Sequence, residues 1–174
     1  MSDEFRLPDW ESKRSSLDGP ADRLVRFEKA SRAIAEALIR NREVDRGGSG
    51  IPVVVEGNRD EDALRQLGFT GPIEKVNRGW DRPRMIAYLY SQYCIGRTPD
   101  GGPSVILLMD WDRTGGRIQS DLRERLMAMD SPVDERLRKT LLKAMKPEGR
   151  TVESLLAYVP SLRPLVQRLV SDLE

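Results

Sequence analysis

The sequence predicts an α/β fold: a compact parallel sheet flanked by helices, with an N-terminal helix ahead of it and a C-terminal helical extension behind. Three observations carry this. Ile51–Val55 and Val105–Met109 are short apolar runs with no polar alternation, as expected of strands buried on both faces, and such strands belong to parallel sheets. Ile73–Val76 is a third short segment bounded by glycine and proline on one side and by Asn77 and Gly79 on the other. Between and after these strands the apolar residues recur at helical spacing, so each strand is linked to the next by a crossover that favours parallel pairing.

Element by element, Pro20 opens a helix to about Val44 in which Leu24, Phe27, Ala30, Ile34, Leu38 and Ile39 form the apolar stripe. Gly47-Gly48-Ser49-Gly50 ends it as a connector, and the first strand follows. Asp60–Leu67 reads as a helix stopped by Gly68. After the second strand, Arg82–Tyr93 reads as a helix bearing Met85, Ile86, Leu89 and Tyr90. Asp100-Gly101-Gly102-Pro103 turns the chain into the third strand, and a helix from about Gly116 to Met127 places Ile118, Leu122 and Leu126 inward. Beyond Pro132 three amphipathic helices are expected, near 133–145, 151–158 and 161–172, and no further strand. With 174 residues and 39% hydrophobic content there is material for one core. The natural divisions are a tail and helix over 1–50, a core over 51–128 and a helical extension over 129–174.

Composition excludes much chemistry. There are no histidines, so His-based triads and the usual zinc ligand sets are missing, and the single cysteine, Cys94, has no internal partner. No apolar stretch is long enough to span a bilayer, and Met1–Gly19 is polar and mixed in charge, so a soluble cytoplasmic protein with no membrane partner is expected. A net charge of +1 from 29 basic and 28 acidic residues means that any polyanion must be held by a local patch.

The acids are placed for chemistry. Val53-Val54-Val55-Glu56-Gly57-Asn58-Arg59-Asp60 and Met109-Asp110-Trp111-Asp112-Arg113-Thr114-Gly115 each carry carboxylates past the end of a strand. Because side chains alternate along an extended chain, Asp110 and Asp112 share a side if the strand conformation continues through Trp111. Ligands of open α/β sheets bind beyond the carboxyl ends of the strands, where Glu56 would join them. Such a cluster repels itself unless a cation is present, and Mg²⁺ (or Mn²⁺) suits an all-oxygen set that leaves room for water and phosphate.

These residues resemble the Toprim family, the domain shared by topoisomerases, bacterial-type primases, recombination-mediator and old-family nucleases, and the ribonucleases that mature ribosomal RNA. The resemblance covers about residues 51–128. It consists of Glu56-Gly57 after an apolar strand, an acid four positions on at Asp60, and a later strand ending Asp110-x-Asp112-x-x-Gly115, with Gly57 and Gly115 as turn glycines. Asp112-Arg113 and Gly116-Arg117 are similar to the primase and maturase branches, and the compact size to small stand-alone archaeal and maturase-like members. The resemblance implies a Rossmann-like Toprim sheet, Glu56 as general acid or base, Asp110 and Asp112 as Mg²⁺ ligands, and Asp60 as an accessory acid at the metal. Many Toprim domains add a fourth strand after the Asp-x-Asp helix; Met127–Val133 is too short and polar to promise one. Neither a zinc-binding segment nor a domain presenting a topoisomerase tyrosine is visible, and Tyr88, Tyr90, Tyr93 and Tyr158 fit packing roles on helices.

Arg59, Arg78, Arg82, Arg84, Arg113 and Arg117, with Trp80 among them, fall near the same carboxyl edge, where guanidinium forks and a stacking surface would hold a nucleic-acid backbone. Simpler roles exist for several of these residues: Asp112 and Asp60 as caps at helix starts, Trp111 as a core residue at the strand tip, the arginines as a solvated loop. The basic residues near 136–146 read as a solvated face and receive no function. The expected activity is metal-dependent phosphodiester chemistry on nucleic acid, RNA favoured over DNA, as a maturase-like endoribonuclease, with the ribosome or another ribonucleoprotein as partner. The alternatives are a non-catalytic Toprim module that binds RNA or a ribonucleoprotein, and a primase-like nucleotidyl transferase. Oligomeric state is left open.

Overall fold

A computed structural model describes residues 20–174; the polar segment before Pro20, expected to be a tail, lies outside the described residues. The chain is α/β. Strands β1 (Val53–Val55), β2 (Ile73–Lys75), β3 (Val105–Leu107) and β4 (Val133–Asp134) form one sheet in the order β2-β1-β3-β4, parallel throughout. The helices are α1 (Pro20–Asn41), α2 (Asn58–Leu67), α3 (Arg82–Tyr93), α4 (Arg113–Met127), α5 (Arg136–Met145) and α6 (Val159–Leu173), with 3-10 turns at Val44–Arg46 and Glu153–Tyr158. None is long and apolar enough to cross a membrane, among the described residues.

Alternation along the strands sorts the core into two layers. Val53, Val55, Ile73, Ile106 and Leu108 face α1, α2, α5 and α6, while Val54, Val105, Leu107 and Met109 face α3 and α4. The N-terminal helix and the C-terminal extension therefore complete the covering of one face of the sheet. Without them only α2 would cover the apolar side of β1 and β3, and the rest would be open to water.

The fourth strand corrects the expectation that helix alone follows Pro132. β4 pairs Val105 with Val133 and Ile106 with Asp134. A buried aspartate does not announce a strand in sequence; here it is neutralised by Arg40 and Arg136, whose Nη1 and Nη2 each donate to Oδ2 at 3.0 Å. The strand stops because Gln119 of α4 occupies the next rungs. Its Oε1 accepts from Met109 N at 3.2 Å, and its Nε2 donates to the Leu107 carbonyl at 3.3 Å and to Glu135 at 3.1 Å.

At the opposite, amino edge, Asn41 ends α1 fully buried. Its Nδ2 donates to the carbonyls of Ile51 at 2.8 Å and Pro72 at 2.9 Å, and its Oδ1 accepts from Gly71 N at 2.9 Å. One side chain thus satisfies backbone entering both β1 and β2. Asn41→Ala orphans the Ile51 carbonyl and Gly71 N, while the Pro72 carbonyl keeps the Val53 N–H at 3.1 Å, and at about 1–3 kcal/mol for each unmet buried partner the loss should reach about 3 kcal/mol. Thermal melting should fall by about 6–12 °C; a change under about 2 °C would show that water replaces the amide.

Candidate metal and phosphate site

The register of β1 and β3 explains how distant acids meet. Val53 pairs with Ile106 and Val54 with Leu107, so continuing along both chains sets Glu56 level with Met109 and next to Asp110. Asp60 arrives from the first turn of α2, where its Oδ2 accepts from Gly57 N at 2.9 Å. Carboxylate oxygens of Glu56, Asp60 and Asp110 lie within 4.8 Å of one another. Three hard oxygen donors, two from the β1–α2 turn and one from the tip of β3, with no thiolate or imidazole beside them, match the ligand preference of Mg²⁺ or Mn²⁺.

Asp112 is placed differently. Its Oδ1 accepts from Gly115 N at 2.7 Å as the N-cap of α4, so it stands outside the converged trio while its charge still reaches Glu56. Asp110 is anchored on its other side: its Oδ1 accepts from Val152 N at 2.8 Å. Trp111 is buried as a core residue at the strand tip and ties that tip to the same segment, its backbone N donating to the Arg150 carbonyl at 2.9 Å and its Nε1 to the Gly149 carbonyl at 2.7 Å. The 149–153 segment, to which no sequence motif pointed, therefore closes one side of the acid cluster.

The two motif glycines also differ from their expected turn roles. Neither has a positive φ. Gly57 is extended, and a Cβ there would meet nothing nearer than Asn77 Nδ2 at 4.0 Å. A Cβ on Gly115 would fall 2.0 Å from the Asp110 carbonyl oxygen. Gly115 is required for close approach: it lets the first turn of α4 rest on the tip of β3.

Electrostatics register the crowding. Burial, then the hydrogen bond its carboxyl donates to Asp110, then the charges of Asp110, Asp60 and Asp112 push the Glu56 pKa up to about 8. Asp60 is raised as well, chiefly by burial, against the opposing hydrogen bond from Gly57 N–H. A carboxyl whose folded pKa lies above its unfolded one stabilises the fold fully below the unfolded value of 4.5, and that contribution is lost as pH rises through about 8. Metal-free protein in EDTA should therefore melt progressively lower from about pH 5 to about pH 8, by several degrees, Glu56→Gln should flatten the slope, and Mg²⁺ should raise melting most at the alkaline end. A flat profile in wild type would remove the crowded-acid description.

The basic residues divide into three groups. Arg78, Trp80 and Arg84 form a cluster beside Asn77, whose N donates to the Glu56 carbonyl at 2.9 Å: the guanidiniums of Arg78 and Arg84 lie 4.8 and 4.4 Å from the Trp80 ring centroid, and Tyr88 packs edge-on at 5.2 Å. Arg78 is already committed, donating at 2.6 Å to Glu74, a buried carboxylate that also accepts from Tyr88 at 2.9 Å and Tyr93 at 2.6 Å. Arg82 pairs with Asp121 at 2.9 Å, and the exposed Arg59 with Glu153 at 2.9 Å. Arg113 and Arg117 are exposed on α4 with no ion pair among the described residues.

Sequence reading missed Arg138, which it assigned to a solvated face. Half-buried on α5, it donates from Nε to the Met109 carbonyl at 3.0 Å and from Nη2 to the Asp110 carbonyl at 2.9 Å, at the base of the acid cluster. A signal existed: Arg138 stands three and seven positions before Leu141 and Met145, on the edge of the apolar stripe of α5.

Open parallel α/β sheets bind their ligands beyond the carboxyl ends of the strands, and that is the edge at which these carboxylates gather. Comparison with known proteins places the chain further. A UPF0292 protein of Methanosarcina acetivorans is 30% identical over 137 residues, spanning 79% of this chain and 87% of its own length. UPF0292 proteins of Pyrococcus furiosus and Methanocaldococcus jannaschii are 30% and 27% identical over 76% and 91% of their lengths, and 64% and 76% of this chain. The chain belongs to the UPF0292 family. No family model matches it. A solved structure of a protein from Aquifex aeolicus aligns at 22% identity and a TM-score of 0.46, over 78% of this chain and 97% of that one.

Proposed function

We propose that the chain is a Toprim-type protein whose carboxyl-edge acids carry out Mg²⁺- or Mn²⁺-dependent cleavage of structured RNA. The observation that supports this most is the convergence of Glu56 and Asp60, from the β1–α2 turn, with Asp110, from the tip of β3, at the edge where such sheets bind ligands. Asp60 and Asp110 are the metal ligands in this reading. The metal, when bound, supplies charge stabilisation at the phosphate and a more acidic water. Glu56 shares a proton with Asp110 and is the group placed to pass one to the leaving oxygen or take one from the attacking one. Trp80 becomes a base-stacking face beside the Glu56 loop when the exposed Arg84, now over its ring, turns to a phosphate, and the exposed Arg113 and Arg117 offer backbone contacts. The choice of RNA, and of a cytoplasmic ribonucleoprotein setting, rests on the likeness of Asp112-Arg113 and Gly116-Arg117 to the maturase branch.

A non-catalytic role as an RNA-docking module draws on one observation: an oxygen of Asp112, expected at the metal, is spent on capping α4. Incubation with a hairpin RNA and a duplex DNA, each with Mg²⁺, Mn²⁺ or EDTA, separates the readings. Metal-dependent RNA products support the nuclease. RNA bound and never cut under either metal transfers the site to docking, and a preference for duplex DNA overturns the RNA assignment.

A further inference from the structure

The acid trio accounts for a cation; a phosphodiester held there also needs a partner for its own charge. Arg138 has the position and the unused valence. Two of its nitrogens are fixed on the carbonyls of Met109 and Asp110, and Nη2 lies 3.7 Å from where a Cβ of Gly116 would stand, so the guanidinium is seated against the first turn of α4. The charges of Glu135, Asp112, Asp110 and Glu56 all reach it, yet it makes no ion pair within 4.0 Å among the described residues, and its third nitrogen, Nη1, has no acceptor there. Burial holds its pKa below the usual arginine value. A half-buried cation without a carboxylate partner is costly to keep, and tying a strand end to a helix needs no charge. A fixed guanidinium beside a helix N-terminus is a competent phosphate donor.

We propose that Arg138 is the phosphate-binding residue of this site, its Nη1 donating to a non-bridging oxygen of the phosphodiester whose charge the metal shares; this rests on the phosphodiester reading given above. The test is calorimetric titration of inorganic phosphate into the full chain, with saturating Mg²⁺ and without, for wild type, Arg138→Gln and Arg138→Lys. Mg²⁺ affinity and thermal melting are measured alongside. Arg138→Gln should weaken phosphate binding at least about tenfold while Mg²⁺ affinity moves by less than about threefold, and Arg138→Lys, which keeps the charge on a smaller head group, should fall between. Phosphate affinity unchanged in the Gln variant, loss of Mg²⁺ and phosphate together, or no phosphate uptake by wild type would each overturn the assignment. If the Gln variant does not fold, an unchanged phosphate affinity in the Lys variant overturns it. Phosphate uptake through Arg138 by a protein that cuts no nucleic acid would sink the nuclease reading and leave this one, whereas RNA cleavage indifferent to Arg138→Gln would do the reverse.

Discussion

Glu56→Gln should lower single-turnover RNA cleavage by about 10²–10⁴-fold, the range for loss of a general acid or base, while Mg²⁺ binding changes little. The amide keeps the shape of the carboxyl and one oxygen toward the trio. With its pKa pushed up to about 8, the metal-free Glu56 carboxyl is mostly protonated at neutral pH, so the neutral amide resembles it in charge as well as shape and the fold should melt no lower than wild type there. What it cannot do is exchange the proton that the Glu56 carboxyl now donates toward Asp110. Rates at saturating metal, measured beside the metal affinity of the same samples, check this. Near-wild-type cleavage by the Gln variant would take Glu56 out of the chemistry and leave it a neighbour of the metal.

Gly115→Ala should be the most damaging single methyl group in the site. Its Cβ would stand 2.0 Å from the Asp110 carbonyl oxygen and 2.6 Å from the carbonyl carbon, both backbone atoms that no rotamer change can withdraw. Either α4 lifts from the tip of β3 or the tip bends away, and both outcomes break the Asp112 cap and shift Asp110 against Glu56. Overpacking against backbone places the cost at about 3 kcal/mol or more, a fall in melting temperature of about 6–12 °C, with metal affinity lost beyond what the lower stability explains. Gly57→Ala is the control, because that Cβ has 4.0 Å of clearance and φ −149° is ordinary backbone. If both alanines behave alike, close approach is not what Gly115 provides.

The parts of the fold legible in sequence were those written in apolar runs. β1 and β3 carry no polar residue, and the parallel order followed from the helices between them. β4 escaped because it is two residues long and half of it is Asp134, whose burial is made tolerable by Arg40, almost a hundred residues earlier in the chain. At the site, Glu56, Asp60 and Asp110 were legible because they follow strands directly or open a helix. Asp112 was equally legible as a cap and as a ligand, and the hydrogen bond to Gly115 N is the local one, made by the chain within three residues. The 149–153 segment contributes through backbone N–H and C=O groups, which every residue has, so no side-chain pattern marks it. Arg138 sat among several basic residues on one helix, distinguished only by its place beside the apolar stripe.

The most direct test of the site is calorimetric titration of Mg²⁺ into wild type, Asp60→Asn, Asp110→Asn and Asp112→Asn. The convergence of Glu56, Asp60 and Asp110 predicts one site in wild type, a loss of at least about tenfold in affinity for Asp60→Asn and Asp110→Asn, and a smaller change for Asp112→Asn, whose oxygen is engaged in capping α4. Wild type that takes up no Mg²⁺ or Mn²⁺, or wild-type affinity retained by both Asp60→Asn and Asp110→Asn, would contradict it.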